Sequence, residues 1–105
     1  MAVIKQGDIW LAEQPEEKAR PYLILTRQRG IDSLHAVSVA PVTTRARGLV
    51  SEVGLGSPDG VPRACVANFD NIRSVPKSAF THQLGALAPG RWHEVCTAMR
   101  AAIDC

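Results

Sequence analysis

His35-Ala36-Val37-Ser38-Val39-Ala40-Pro41-Val42-Thr43 is the longest of several apolar, β-branched runs that turn residues separate along the first four-fifths of the chain. Short runs recurring in this way read as strands of a curled sheet or small barrel. Upstream lie Asp8 to Ala12 and Pro21 to Thr26, the second opened by a proline, which a strand tolerates at its first residue. Downstream, Leu49 to Leu55 alternates apolar and polar side chains as a half-buried strand does, and stops at the turn Gly56-Ser57-Pro58-Asp59-Gly60. Ala64 to Phe69 and Ile72 to Val75 follow on either side of the polar corner Asp70-Asn71. A helical turn near Pro76 to Phe80 and a last short strand near His82 to Leu87 complete the sheet.

From Arg91 the period changes. Trp92, Val95, Cys96, Met99, Ala102 and Ile103 recur at helical intervals, which predicts an amphipathic carboxy-terminal helix whose Trp92 and Met99 serve packing in the core or between subunits. The predicted fold class is therefore mainly β with helices, a small barrel closed by one terminal helix.

The chain of 105 residues suits one domain, residues 1–105, because a second would need a core of its own. The amino terminus lacks a basic start followed by an apolar run, and no later stretch is long enough to cross a bilayer, so a cytoplasmic protein away from membranes is expected. Three cysteines, Cys65, Cys96 and Cys105, fit no zinc or redox spacing. Cys65 and Cys96 read as small buried apolar residues and Cys105 as a frayed end, and neither metal nor cofactor is called for.

The net charge of +2 is small, but its distribution is uneven. Arg20, Arg27, Arg29, Arg45 and Arg47 face the single acid Asp32 between residues 20 and 50, which gives one part of the surface a positive field. A solvated arginine-rich face is the plain alternative.

Four blocks in order carry a resemblance: Gly7-Asp8-Ile9-Trp10, Arg20-Pro21-Tyr22-Leu23-Ile24-Leu25, Val39-Ala40-Pro41-Val42-Thr43 and Asp70-Asn71-Ile72-Arg73-Ser74-Val75. Each is common alone, whereas all of them in this sequence and spacing resemble the MazF/PemK toxins from about residue 6 to residue 87. The resemblance implies an SH3-like barrel, a homodimer, sequence-specific cleavage of single-stranded RNA (messenger, transfer or ribosomal) without a metal, and a cognate antitoxin whose disordered tail covers the groove. It also implies catalytic roles for Arg20 and Thr43, and for Asp70 by analogy with the PemK-like branch. Two departures limit the transfer. The loop after the first strand offers Glu16, Glu17 and Lys18 instead of the histidine and glycines of many relatives, and Asn68 stands where one branch has an arginine.

Metal-free cleavage of RNA begins with attack of the 2′-hydroxyl on the adjacent phosphorus, and it needs a proton acceptor, a donor and compensation of phosphoryl charge. Arg20 suits bidentate phosphate binding, and Thr43 can add a hydroxyl donor. Glu16, Lys18, Arg45, Arg47, Asn68 and Asn71 are the expected RNA-binding residues, with the loops 13–19 and 44–48 reading sequence. His35, His82 and His93 fit surface or capping roles, so no general base stands out. Two other functions share the small barrel: a CcdB-like poison that binds DNA gyrase, and a non-catalytic module that binds RNA or a peptide.

Overall fold

The computed structural model describes residues 3–104, so Cys105 lies outside the described residues. Its strands are β1 (Asp8–Ala12), β2 (Arg20–Ile24), β3 (Ala36–Thr43), β4 (Glu52–Leu55), β5 (Cys65–Asn68), β6 (Arg73–Pro76) and β7 (Phe80–Ala86), with a short helix α1 (Gln28–Ile31) and a terminal helix α2 (Trp92–Ile103). All strand pairs are antiparallel, in the order β4-β5-β3-β2-β1-β7 with β6 also on β3. The mainly β class with a carboxy-terminal helix is as the sequence predicts.

Strand β3 organises the sheet. One edge pairs with β2 through Val39, Ala40 and Pro41, while the other pairs with β6 from Ala36 to Val39 and then with β5 at Val42 and Thr43. The change of partner falls where a 3-10 turn, Phe69–Asn71, carries the chain from β5 into β6. Two short strands thus share one long edge, and the sheet bends where they hand over.

Side chains alternate across a strand, so a sheet covered on both faces must be apolar at successive positions. Ile9, Leu23, Ala40 and Val42 join Phe69 and the Val95 and Ala98 side of α2 in one core. Trp10, Tyr22, Ile24, Val37 and Val39 point the other way into a second core with Val75 and Phe80. Trp92, Met99 and Ala102 pack against the first core, in keeping with their helical spacing. Cys96 is only half-buried and Ile103 is exposed, while Ala98, outside the expected stripe, is buried beside Val95.

The block Gly7-Asp8-Ile9-Trp10 has a structural purpose. Asp8 is buried, and its carboxylate accepts hydrogen bonds from Trp10 Nε1 and from the Lys5 amide, both at 3.0 Å. Gly7, at φ 88°, takes the left-handed turn that leads into β1.

Only four residues of the expected strand 49–55 form a ladder, Glu52–Leu55. The preceding segment is a loop because the Glu52 carboxylate captures the amides of Arg47 and Leu49, which a strand would have committed to a neighbour. The turn foreseen around Arg29 to Asp32 is helical, and Lys77 Nζ donates to the Ile31 carbonyl at 2.7 Å.

Strands β4 and β7 end the hydrogen-bonded path, and the half-barrel is drawn together between them by backbone contact. A Cβ at Gly60 would strike the Leu84 carbonyl, and one at Gly85 the Asp59 carbonyl, so only glycines permit this approach. Arg91, in the turn just before α2, clamps the same seam, reaching Asp59 at 3.2 Å, the Gly54 carbonyl at 2.7 Å and Glu94 at 2.8 Å.

Gly60→Ala, which adds a left-handed φ of 95° to the clash, should destabilise the fold by at least about 2 kcal/mol in urea denaturation, whereas Gly90→Ala, with open space around it, should be near neutral. Hydrogen bonds from Arg91, and its charge, hold the Glu94 carboxyl below its ordinary value. Such a carboxylate stabilises the fold above its unfolded pKa, and the contribution is lost as pH falls through the lower folded value. Melting temperature should therefore drop more steeply for the wild type than for Glu94→Gln between about pH 5 and pH 3.

Candidate nucleic-acid interface

Continuing the β2–β3 register from Tyr22 opposite Pro41 brings Arg20 across from Thr43. Pro21 between them has no N–H to extend the ladder, which ends at Tyr22 and Pro41. Beside these strand ends lies a cleft of about 320 Å³, whose lining includes Tyr22 and Pro41. Arg20 and Thr43 line it too, together with Arg45 and Arg47 from the loop after β3, Asn68 and Asn71 from the end of β5 and the turn after it, and Arg73 of β6. Strand alternation explains the set: residues 20 and 22, and 41 and 43, share the face that buries the second core.

Among the described residues that line the cleft, four are arginines and none is acidic. Arg27 and Arg29 of the basic stretch sit on or beside α1 and are not among the lining residues. Thr43 Oγ1 accepts the Arg45 amide at 3.1 Å, which fixes the hydroxyl and leaves its proton available to a ligand.

Asp70 has a different environment. Its carboxylate accepts the hydroxyl of buried Ser51 at 2.6 Å, and its amide donates to Asn68 Oδ1 at 2.8 Å. It is exposed and outside the cleft lining, and it fastens the Phe69–Asn71 turn to the segment before β4. Glu16, at a left-handed φ of 64°, and Lys18 are also exposed and outside the lining, whereas Glu17 between them bonds to Arg73. His35 and His82 are exposed, and His93 Nδ1 lies 3.0 Å from the Gly90 carbonyl, so none of the three lines the cleft.

Three cleft residues, Tyr22, Pro41 and Arg73, have no role in the sequence reading. Tyr22 follows Arg20 by two and was accessible to period-two reasoning. Arg73 reaches the cleft only because β6 pairs with β3, with Arg73 opposite Val39. Its Nη1 donates to the Tyr22 hydroxyl at 3.0 Å, and its guanidinium carbon stands 5.9 Å from the tyrosine ring centre. Glu17 accepts from both of its terminal nitrogens, and these hydrogen bonds hold the Glu17 carboxyl below the usual range.

Thr43 also borders an apolar hollow of about 170 Å³ between Pro21, Val42, Val61 and Leu84. Cys65 lines it, its thiol pushed up by burial and by the Asp59 carboxylate. No three His, Cys, Asp or Glu among the described residues gather as a metal site, and no helix among them is long and apolar enough to cross a membrane.

Together these features define a small curled-sheet protein with a strongly cationic cleft at the ends of two central strands. Residues 5–103 match the PemK-like, MazF-like toxins of type II toxin-antitoxin systems, and the chain belongs to that family. It is 42% identical over 103 residues to the probable endoribonuclease MazF2 of Mycobacterium tuberculosis, covering 97% of this chain and all of the relative. Among solved structures it resembles the Mycobacterium tuberculosis toxin MazF-mt6, with a TM-score of 0.86, 35% identity and coverage of 92% and 96% of the two chains. A mycobacterial endoribonuclease solved in complex with its cognate antitoxin has the same fold at a TM-score of 0.84 and 22% identity, over 97% and 96% of the chains.

The loop that carries Arg45 and Arg47 is shaped by Glu52. Glu52→Ala should speed amide exchange at Arg47 and Leu49 by roughly tenfold or more while the β4 amides stay protected, as measured by NMR.

Proposed function

We propose that this toxin is an endoribonuclease that cleaves single-stranded RNA by attack of the substrate's own 2′-hydroxyl, and that Arg20 and Thr43 hold the scissile phosphate. The observation that carries the reading is that a strand-borne guanidinium and a fixed hydroxyl, neighbours across one strand pair, line the same arginine-rich cleft. The family and the names of its 42% and 35% identical relatives point the same way.

The 2′-oxygen bonds to phosphorus as its proton passes to a base. The bond from phosphorus to the 5′-oxygen breaks, and that oxygen takes up a proton, which leaves a 2′,3′-cyclic phosphate and a free 5′-hydroxyl. Negative charge grows on the two non-bridging oxygens during the step. Arg20 meets it with two parallel N–H donors and the Thr43 hydroxyl adds a third, so the transition state is bound more tightly than the substrate. The charge compensation comes from the chain itself, and the reaction is expected to run without a metal. DNA lacks the nucleophile and would bind without being cut.

Arg45 and Arg47 hold neighbouring phosphates. Asn68 and Asn71 present amides to bases or ribose, and the loops 13–19 and 44–48 select sequence. Asp70 serves the site by anchoring the turn between those asparagines. The protein works in the cytoplasm as a homodimer, with the substrate lying across both subunits, and a cognate antitoxin restrains it by laying an acidic tail over the arginines.

The test is incubation of the purified protein with mixed RNA in EDTA, followed by mapping of the new ends. Cleavage at short motifs is expected, with Arg20→Ala and Thr43→Ala each slowing a fluorogenic RNA by roughly a hundredfold. Wild-type rates in both variants would remove the assignment.

A further inference from the structure

Of the four cleft arginines, Arg73 alone has a carboxylate partner among the described residues, since no ion pair joins Arg20, Arg45 or Arg47 to an acid. That partner comes from the loop between β1 and β2. Glu17 places Oε1 3.3 Å from Nη1 and Oε2 3.2 Å from Nη2, a fork-to-fork arrangement equivalent to the one a guanidinium forms with two phosphate oxygens. We propose that Arg73 is a further phosphate-binding residue of this cleft, and that Glu17 is its resident counterion, occupying the fork until an RNA phosphate displaces it. The proposal rests on the ribonuclease reading for the identity of the incoming anion.

Three features make the exchange workable. Arg73 is held from behind by the Tyr22 hydroxyl and ring, so its head stays in place when Glu17 leaves. Tyr22 is itself fixed in the second core. The ion pair is open to water, with side-chain exposures of 39% for Arg73 and 35% for Glu17, and exposed pairs of this kind contribute little to stability. A polyanion that engages Arg20, Arg45 and Arg47 together can therefore outcompete one carboxylate. The loop is also built to present Glu17: its amide donates to the Gln14 carbonyl at 3.1 Å, and the left-handed Glu16 turns the chain just before it. Glu17 then acts as a threshold, since an isolated anion or a short RNA must displace it with fewer compensating contacts than a long single strand makes.

A non-cleavable 2′-O-methyl oligoribonucleotide followed by fluorescence anisotropy reads the exchange directly. Glu17→Gln should tighten binding roughly threefold. Glu17→Asp, which keeps the charge but is one methylene too short for the fork, should tighten it as well. Neither gain should survive in an Arg73→Gln background, because the two residues act as one unit. Weaker binding in Glu17→Gln, no change in Glu17→Asp, or an equal gain with and without Arg73 would overturn the proposal, the last two pointing to a general field effect. If the wild-type protein neither binds nor cuts RNA, the ribonuclease reading fails on its own. The fork is then decided by titrating inorganic tripolyphosphate against the Arg73 Nε–H resonance. A tighter response in Glu17→Gln than in the wild type supports the counterion, and identical responses refute it.

Discussion

The structure depends on the double duty of β3. Eight residues from Ala36 to Thr43 supply apolar side chains to both cores and hydrogen-bond partners to three other strands. A strand buried on both faces cannot slip by one residue, because Val37 and Val39 would exchange cores with Ala40 and Val42. That fixed register sets where Thr43 emerges at the end of the ladder, and hence where it stands relative to Arg20. The handover from β6 to β5 along the same edge then delivers Arg73, Asn71 and Asn68 to the space in front of it.

A cleft ringed by four arginines needs support, since like charges held together resist the compact state. The fold supplies it locally. Tyr22 accepts a hydrogen bond from Arg73, Glu17 neutralises the same guanidinium, and Glu52 shapes the loop carrying Arg45 and Arg47 through backbone amides, leaving both guanidinium groups to the cleft. Rigid strand ends thus hold Arg20 and Thr43 while more exposed loops hold the flanking cations. This division suits a site whose chemistry needs placement and whose substrate is a flexible chain.

The remote parts of the molecule serve the curl. Gly60 and Gly85 let the turn after β4 approach β7 more closely than any side chain would allow, and Arg91 bolts α2 to that seam through Asp59, Glu94 and the Gly54 carbonyl.

Periodicity in the sequence was enough to place the mainly β class, most strand positions, the terminal helix and its packing face, because alternation and the helical repeat are local properties of the chain. Arg20 and Thr43 were legible through the resemblance, and Tyr22 was within reach as the residue two beyond Arg20. Other features depended on which segments meet. Arg73 enters the cleft through pairing with a strand more than thirty residues away, Asp70 turns to Ser51, and Glu17 rather than Glu16 or Lys18 meets Arg73 across the fold. The chain dictated its own repeat, and the fold chose the neighbours: side-chain direction follows from the backbone's short period, whereas charge pairing between distant segments is set only when the register and the loops are fixed.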